Sequence, residues 1–151
     1  MKTDPKARYQ GYTFYFREGF CWNNVLNPKA RLLKVKLKQA SVNDVGSMSL
    51  MPMLDYVPSK YIIALLNSNL IFDYYREFVN CTVNVQINDL RQIPIIIADD
   101  ITLSKINDLT DRAIELKKSA LQNEEMDLLQ FEDLTDIEIE IEKVVKQLYF
   151  I

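Results

Sequence analysis

Two apolar stripes near the end of the chain constrain its fold more than any other feature. Ile106, Leu109, Ala113, Leu116 and Ala120 follow one another at alternating spacings of three and four residues, and Ile137, Ile141, Val144 and Leu148 repeat the pattern. Such spacing puts each set on one face of an α-helix, and that face needs an apolar partner. The run IEIEIE at 137–142 alternates like a strand, but its continuation through Val144 and Val145 favours the helical period. Thr135 stands three residues before Glu138, the spacing of a capping box, so the second helix is expected to begin there. The acidic stretch 123–133 reads as the connection. Residues 99–151 are therefore predicted to form a helical hairpin that packs on the rest of the chain or on a partner.

Upstream the period changes. Tyr12–Phe16 (YTFYF) and Phe20–Val25 are β-prone, with Gly19 marking a turn between them. Leu33, Val35 and Leu37 alternate with Lys34, Lys36 and Lys38, which predicts a strand with one apolar face and one row of lysines. Met48–Leu54 reads as a strand kept near an edge by Pro52. From Pro58, the positions Ile62, Leu65, Leu66, Leu70 and Tyr74 predict a helix to about Phe78, with a break near Asn67-Ser68. Val83, Val85 and Ile87 alternate as a half-buried strand, and the apolar segment 94–98 fits a buried one. Residues 1–98 are expected to be an α+β domain, a small mixed sheet around a central helix.

Several chemistries are excluded early. At 48% hydrophobic and 26% charged the chain is globular. It has no histidine, which removes the commonest general base and every Ser–His or Cys–His nucleophile. Cys21 and Cys81 are too few for a structural zinc site and are read as buried free thiols. Three scattered glycines write neither a dinucleotide fingerprint nor a phosphate loop. No apolar run reaches the roughly 18 residues of a membrane span, and residues 1–8 are polar, so a cytoplasmic protein without membrane contact is expected. Asp100 or Asp108 with Glu115 and Lys117 can be fitted to a nuclease D…ExK pattern. On a helix, however, residues two apart do not share a face.

Charge divides the chain. Residues 1–60 hold ten Lys/Arg against four Asp/Glu, whereas residues 99–151 hold six against fourteen. A basic front and an acidic tail point to two surfaces with different partners. In the front part Arg17, Lys29, Arg31, Lys34, Lys36 and Lys38 are candidate phosphate contacts. The lysine row has an equal alternative as protection of an edge strand. Asn23, Asn24, Ser41, Asn43 and Ser47 are candidates for base edges, the aromatics Tyr12, Tyr15 and Trp22 for stacking or else for the core, and Asn80, Thr82, Asn84 and Gln86 form a second polar group. The acidic tail should face away from nucleic acid.

Three segments carry a resemblance. REGFCWNNV (Arg17–Val25), the stretch Ala64–Ile95 containing LLNSNL and NDLRQIPI, and the final helix IEIEIEKVVKQLYFI (Ile137–Ile151) resemble the specificity regions of TaqI-like and type IIG adenine methyltransferases, which are related to type I specificity subunits. The likeness covers most of the chain. It departs at the end, where a small LYGL-like continuation is usual in the family. The resemblance implies a non-catalytic target-recognition module of a bacterial restriction–modification enzyme, bound to double-stranded DNA and to a methyltransferase domain or subunit. S-adenosylmethionine, and magnesium where a nuclease is attached, would belong to those catalytic parts. This chain is expected to carry no cofactor, and it contains no NPPY motif. The competing reading is a protein-interaction module that works through the acidic hairpin.

Overall fold

The computed structural model describes residues 11–43, 46–122 and 128–150. The polar N-terminal residues 1–10 and residues 123–127 of the expected acidic connection lie outside them, whereas residues 128–133 of that connection are helical. A three-stranded antiparallel sheet is formed by β1 (Gly19–Asn23), β2 (Lys36–Lys38) and β3 (Ser47–Leu50), in the order β2-β1-β3. Helices α1 (Ser59–Leu66), α2 (Asn69–Tyr74), α3 (Ile87–Leu90), α4 (Asp100–Gln122) and α5 (Leu128–Tyr149) follow. The architecture is α+β and ends in the expected helical pair, but the sheet is antiparallel throughout rather than mixed.

β1 is central because both its neighbours pair with it. Phe20 faces Leu37 and Leu50, and Trp22 faces Met48, which places this apolar face on the core. Gly19 opens the strand, where a Cβ would collide with the Leu50 carbonyl oxygen, so only glycine allows β3 this close. Trp22 is 1% exposed and its indole N–H donates to the Val85 carbonyl at 3.1 Å. Its candidacy as a stacking residue is withdrawn, because the ring is a centrepiece of the core.

Helix α1 is apolar on nearly every side and buries two opposite faces. Ile63 and Leu66 join the sheet cluster with Trp22, Leu33 and Val35. Tyr61, Ala64 and Leu65 join a second cluster with Ile106 of α4 and Val144 and Val145 of α5. The predicted break falls where expected. Asn67 caps α1 and Ser68 accepts from the Ile71 N–H to start α2. Asn67 also acts like a short strand partner: its side chain accepts from Val35 N at 2.8 Å and donates to Val35 O at 2.7 Å.

Three strand expectations fail. Tyr12–Phe14 is a single 3-10 turn with exposed rings. The segment at 83–87 forms only one isolated bridge, Asn84 to Val25, because its backbone and polar side chains close a local loop leading into α3. Residues 94–98 are irregular, and their carbonyls are met by tyrosines rather than by a neighbouring strand. The Tyr61 hydroxyl donates to Ile96 O at 2.7 Å and that of Tyr149 to Pro94 O at 2.6 Å. Thr135 lies inside α5, its hydroxyl donating to Phe131 O, so the helix begins earlier than the capping box suggested. Cys21 is buried as expected, whereas Cys81 is exposed, and both thiols are free.

Two outcomes follow from this packing. Leu65→Ala, at a site with no exposure, should lower unfolding free energy by about 2–5 kcal/mol in chemical denaturation. Burial pushes the Tyr61 hydroxyl up to about 12, and Tyr75 likewise. Below the ordinary tyrosine value of 10 both groups are neutral whether the chain is folded or not, so their contribution is fully present. As pH rises from 10 towards 12 the unfolded chain ionises first and stability falls. Alkaline titration of the denaturation midpoint should show this loss, and Tyr61→Phe should make it shallower.

Candidate nucleic-acid interface

The sheet face opposite the core carries Cys21, Lys36 and Lys38, because register pairs Cys21 with Lys36 and Gly19 with Lys38. This face and the preceding segment line one side of a groove of about 1060 Å³. Arg31, Lys34 and Lys36 lie on that side, and Lys117 and Lys118 of α4 lie on the other. Between them run apolar side chains, among them Val35, Ile63, Ile114 and Ile141. Lys34 holds a left-handed backbone, φ 55, just before β2. Burial raises the Cys21 thiol above its ordinary range, against the smaller opposing pull of Lys36 and Lys38.

The acidic tail does not turn away from this face. Glu138 and Glu142 of α5 also line the groove. Each is already compensated: Glu138 pairs with Lys117 at 2.8 Å, and Glu142 with Lys146 at 3.3 Å while also accepting from Asn69 N. Among the described residues every ion pair lies on α1, α4 or α5: Lys60–Asp111, Lys105–Glu140, Lys117–Glu138, Lys143–Glu140 and Lys146–Glu142. Arg31, Lys34, Lys36 and Lys118 are exposed and take part in none of them. Four positive side chains without a carboxylate partner among the described residues thus share one groove, and the two carboxylates that line it, Glu138 and Glu142, are each paired with a lysine.

Lys38 is removed from the phosphate candidates. It is 4% exposed, and its ammonium donates to the carbonyls of Arg17 and Ser41 at 2.7 Å and of Gln39 at 3.3 Å. All three of its donors are occupied, and they tie the 14–18 segment to the 39–41 turn. Arg17 stays exposed, with its guanidinium 5.2 Å above the Phe14 ring. Lys29 sits on the Asn27 turn, outside the groove.

The polar candidates divide similarly. Ser41, Asn43 and Ser47 line the groove, with Asn43 donating to Ser49 Oγ at 2.9 Å. Asn23 is exposed at the end of β1, and the Asn24 backbone joins the strand end to Gly46 and Val85. The second group is engaged in shaping its own loop. Asn80 donates to Asn84 O and to Asp89 Oδ2 and accepts from Thr82 N, the Thr82 hydroxyl accepts from Asn84 N, and Gln86 caps α3. Asn80 thereby loses most of the hydrogen-bonding freedom a base reader needs, whereas the Thr82, Asn84 and Gln86 side chains remain exposed.

Sequence reasoning missed Lys118, whose signal was the adjacent pair Lys117-Lys118 interrupting an acidic helix. The fitted nuclease positions are strung along α4, with Lys117 engaged by Glu138. Among the described residues no three Cys, Asp or Glu side chains gather into a metal-holding group. None of the described helices is long and apolar enough to cross a membrane. No protein-family model, curated protein or solved structure matches the chain.

The division between Lys36 and Lys38 has a direct test. Lys38→Met leaves three carbonyls without their donor and should cost about 1–3 kcal/mol in chemical denaturation. Lys36→Met, at an exposed position, should stay within about 0.5 kcal/mol of wild type.

Proposed function

We propose that the chain is a non-catalytic DNA-recognition module of a restriction–modification enzyme, which grips a phosphate backbone through the cation-lined groove. The carrying observation is the set Arg31, Lys34, Lys36 and Lys118, which share one groove and make no ion pair among the described residues. Polyanion backbones release condensed counterions on meeting such groups, and that release supplies sequence-independent affinity. Ser41, Asn43 and Ser47 stand in the same groove, where hydrogen-bonding side chains would meet base edges. The likeness of three segments to adenine-methyltransferase specificity regions gives this anion a chemical identity, duplex DNA.

The acidic hairpin has a complementary role in this reading. Phe131 and Ile139 are 60% and 61% exposed on α5. Apolar side chains among carboxylates suit docking on a protein, and the partner would be the methyltransferase domain that supplies catalysis and S-adenosylmethionine.

Binding of short duplexes should weaken steeply with salt. Replacing Arg31 by Gln, Lys34 by Asn, Lys36 by Gln and Lys118 by Gln together should lower affinity for all sequences alike. The slope of log affinity against log salt should become shallower by about 0.9 for each phosphate contact removed. An unchanged slope would detach the groove from DNA. Size-exclusion chromatography showing a stable oligomer with no DNA retention at low salt would favour protein docking as the whole function.

A further inference from the structure

Three aromatic rings stand in solvent beside the groove. Tyr12, Phe14 and Phe16 are 54%, 52% and 62% exposed within five residues of chain. Scattered apolar residues on a surface are ordinary, but rings concentrated on one turn are not. The backbone adds a second oddity. Phe16 holds φ 59, a left-handed conformation that a bulky non-glycine side chain rarely adopts. Strain of this kind persists where surrounding contacts enforce it.

Those contacts are visible. Phe16 N donates to Ser41 O at 3.2 Å, and the Lys38 ammonium bridges the Arg17 and Ser41 carbonyls at 2.7 Å. Ser41 lines the groove, so the aromatic turn is fastened to the groove's edge. The Arg17 guanidinium over Phe14 supplies a cation on the turn itself.

We propose that the turn Tyr12–Phe16 is a stacking platform for an unpaired base of DNA held in the groove. The inference rests on the DNA-binding reading above and names what the neighbouring turn recognises. Flat rings beside a phosphate-binding strip are the arrangement by which proteins hold bases outside the duplex stack, since every base offers a π-face to them. The Lys38 clamp is a positioning element that keeps the rings at a fixed distance from the phosphates.

The test compares two otherwise identical short duplexes at low salt by fluorescence anisotropy. One is fully paired and the other holds a central adenine facing an abasic site. The full chain should bind the second about tenfold more tightly, the range expected for one base stacked on an aromatic side chain. A Tyr12→Ser, Phe14→Leu, Phe16→Gly variant should bind both duplexes equally at the weaker affinity, since it removes all three exposed rings and glycine relaxes the left-handed backbone, and its unfolding transition should remain cooperative. Arg31→Gln with Lys36→Gln should weaken both duplexes and preserve their ratio. Equal affinities in wild type, or a ratio kept by the variant without rings, would overturn the stacking role while leaving groove binding intact. Absence of salt-sensitive binding to either duplex would overturn both.

Discussion

The structure depends on a helix of eight residues that is packed from both sides. Ile63 and Leu66 hold α1 to the sheet, and Tyr61, Ala64 and Leu65 hold it to the long C-terminal helices. Few helices this short would form in isolation, because nucleation costs more than so few hydrogen bonds return. Here tertiary burial on two faces replaces intrinsic propensity. Asn67 at its end then pairs with both backbone groups of Val35, so the position of α1 also sets where the chain enters β2. The groove follows from that geometry, since one wall is the sheet and the other is α4 and α5.

Electrostatics are sorted along the same line. Four carboxylates of the acidic helices, Asp111, Glu138, Glu140 and Glu142, are paired with lysines of α1, α4 and α5. Arg31, Lys34 and Lys36 in the front part have no such partners among the described residues. Exposed ion pairs contribute little to stability, so the main effect of this sorting is on what each surface attracts. An overall charge of −3 conceals it. A chain of small net charge can still gather cations in a groove when the carboxylates that line it, Glu138 and Glu142, are each paired with a lysine.

The tail was legible because a stripe of Ile106 and Leu109, or of Ile137, Val144 and Leu148, has only one helical solution. The alternation of Leu33, Val35 and Leu37 was legible in part: Leu33 and Val35 are buried while Lys34 and Lys36 are exposed, but the strand spans only Lys36–Lys38, after the left-handed backbone of Lys34. Period alone did not reveal Lys38, which continues the polar phase yet lies inside, because its ammonium is met by three carbonyls from distant turns. Trp22 was ambiguous for a related reason: an indole serves a core or a ligand equally well until a partner such as Val85 O is known. The segment 83–87 alternates like a strand, but Asn80, Thr82 and Gln86 divert its hydrogen bonds into a loop. Of the candidate interface, the cations on the sheet side were readable in advance. Those on α4 were not, since their approach depends on how the hairpin docks.

The double packing of α1 also bears on how such a protein can be recombined. A division after residue 98 looks natural on charge, yet it would leave Tyr61, Ala64 and Leu65 facing water and take away the opposite bank of the groove. Grafting the basic front onto another scaffold would therefore transplant half a groove and an unsheltered helix. Exchange between related proteins can move the α+β part only if both long helices travel with it as a single heritable block.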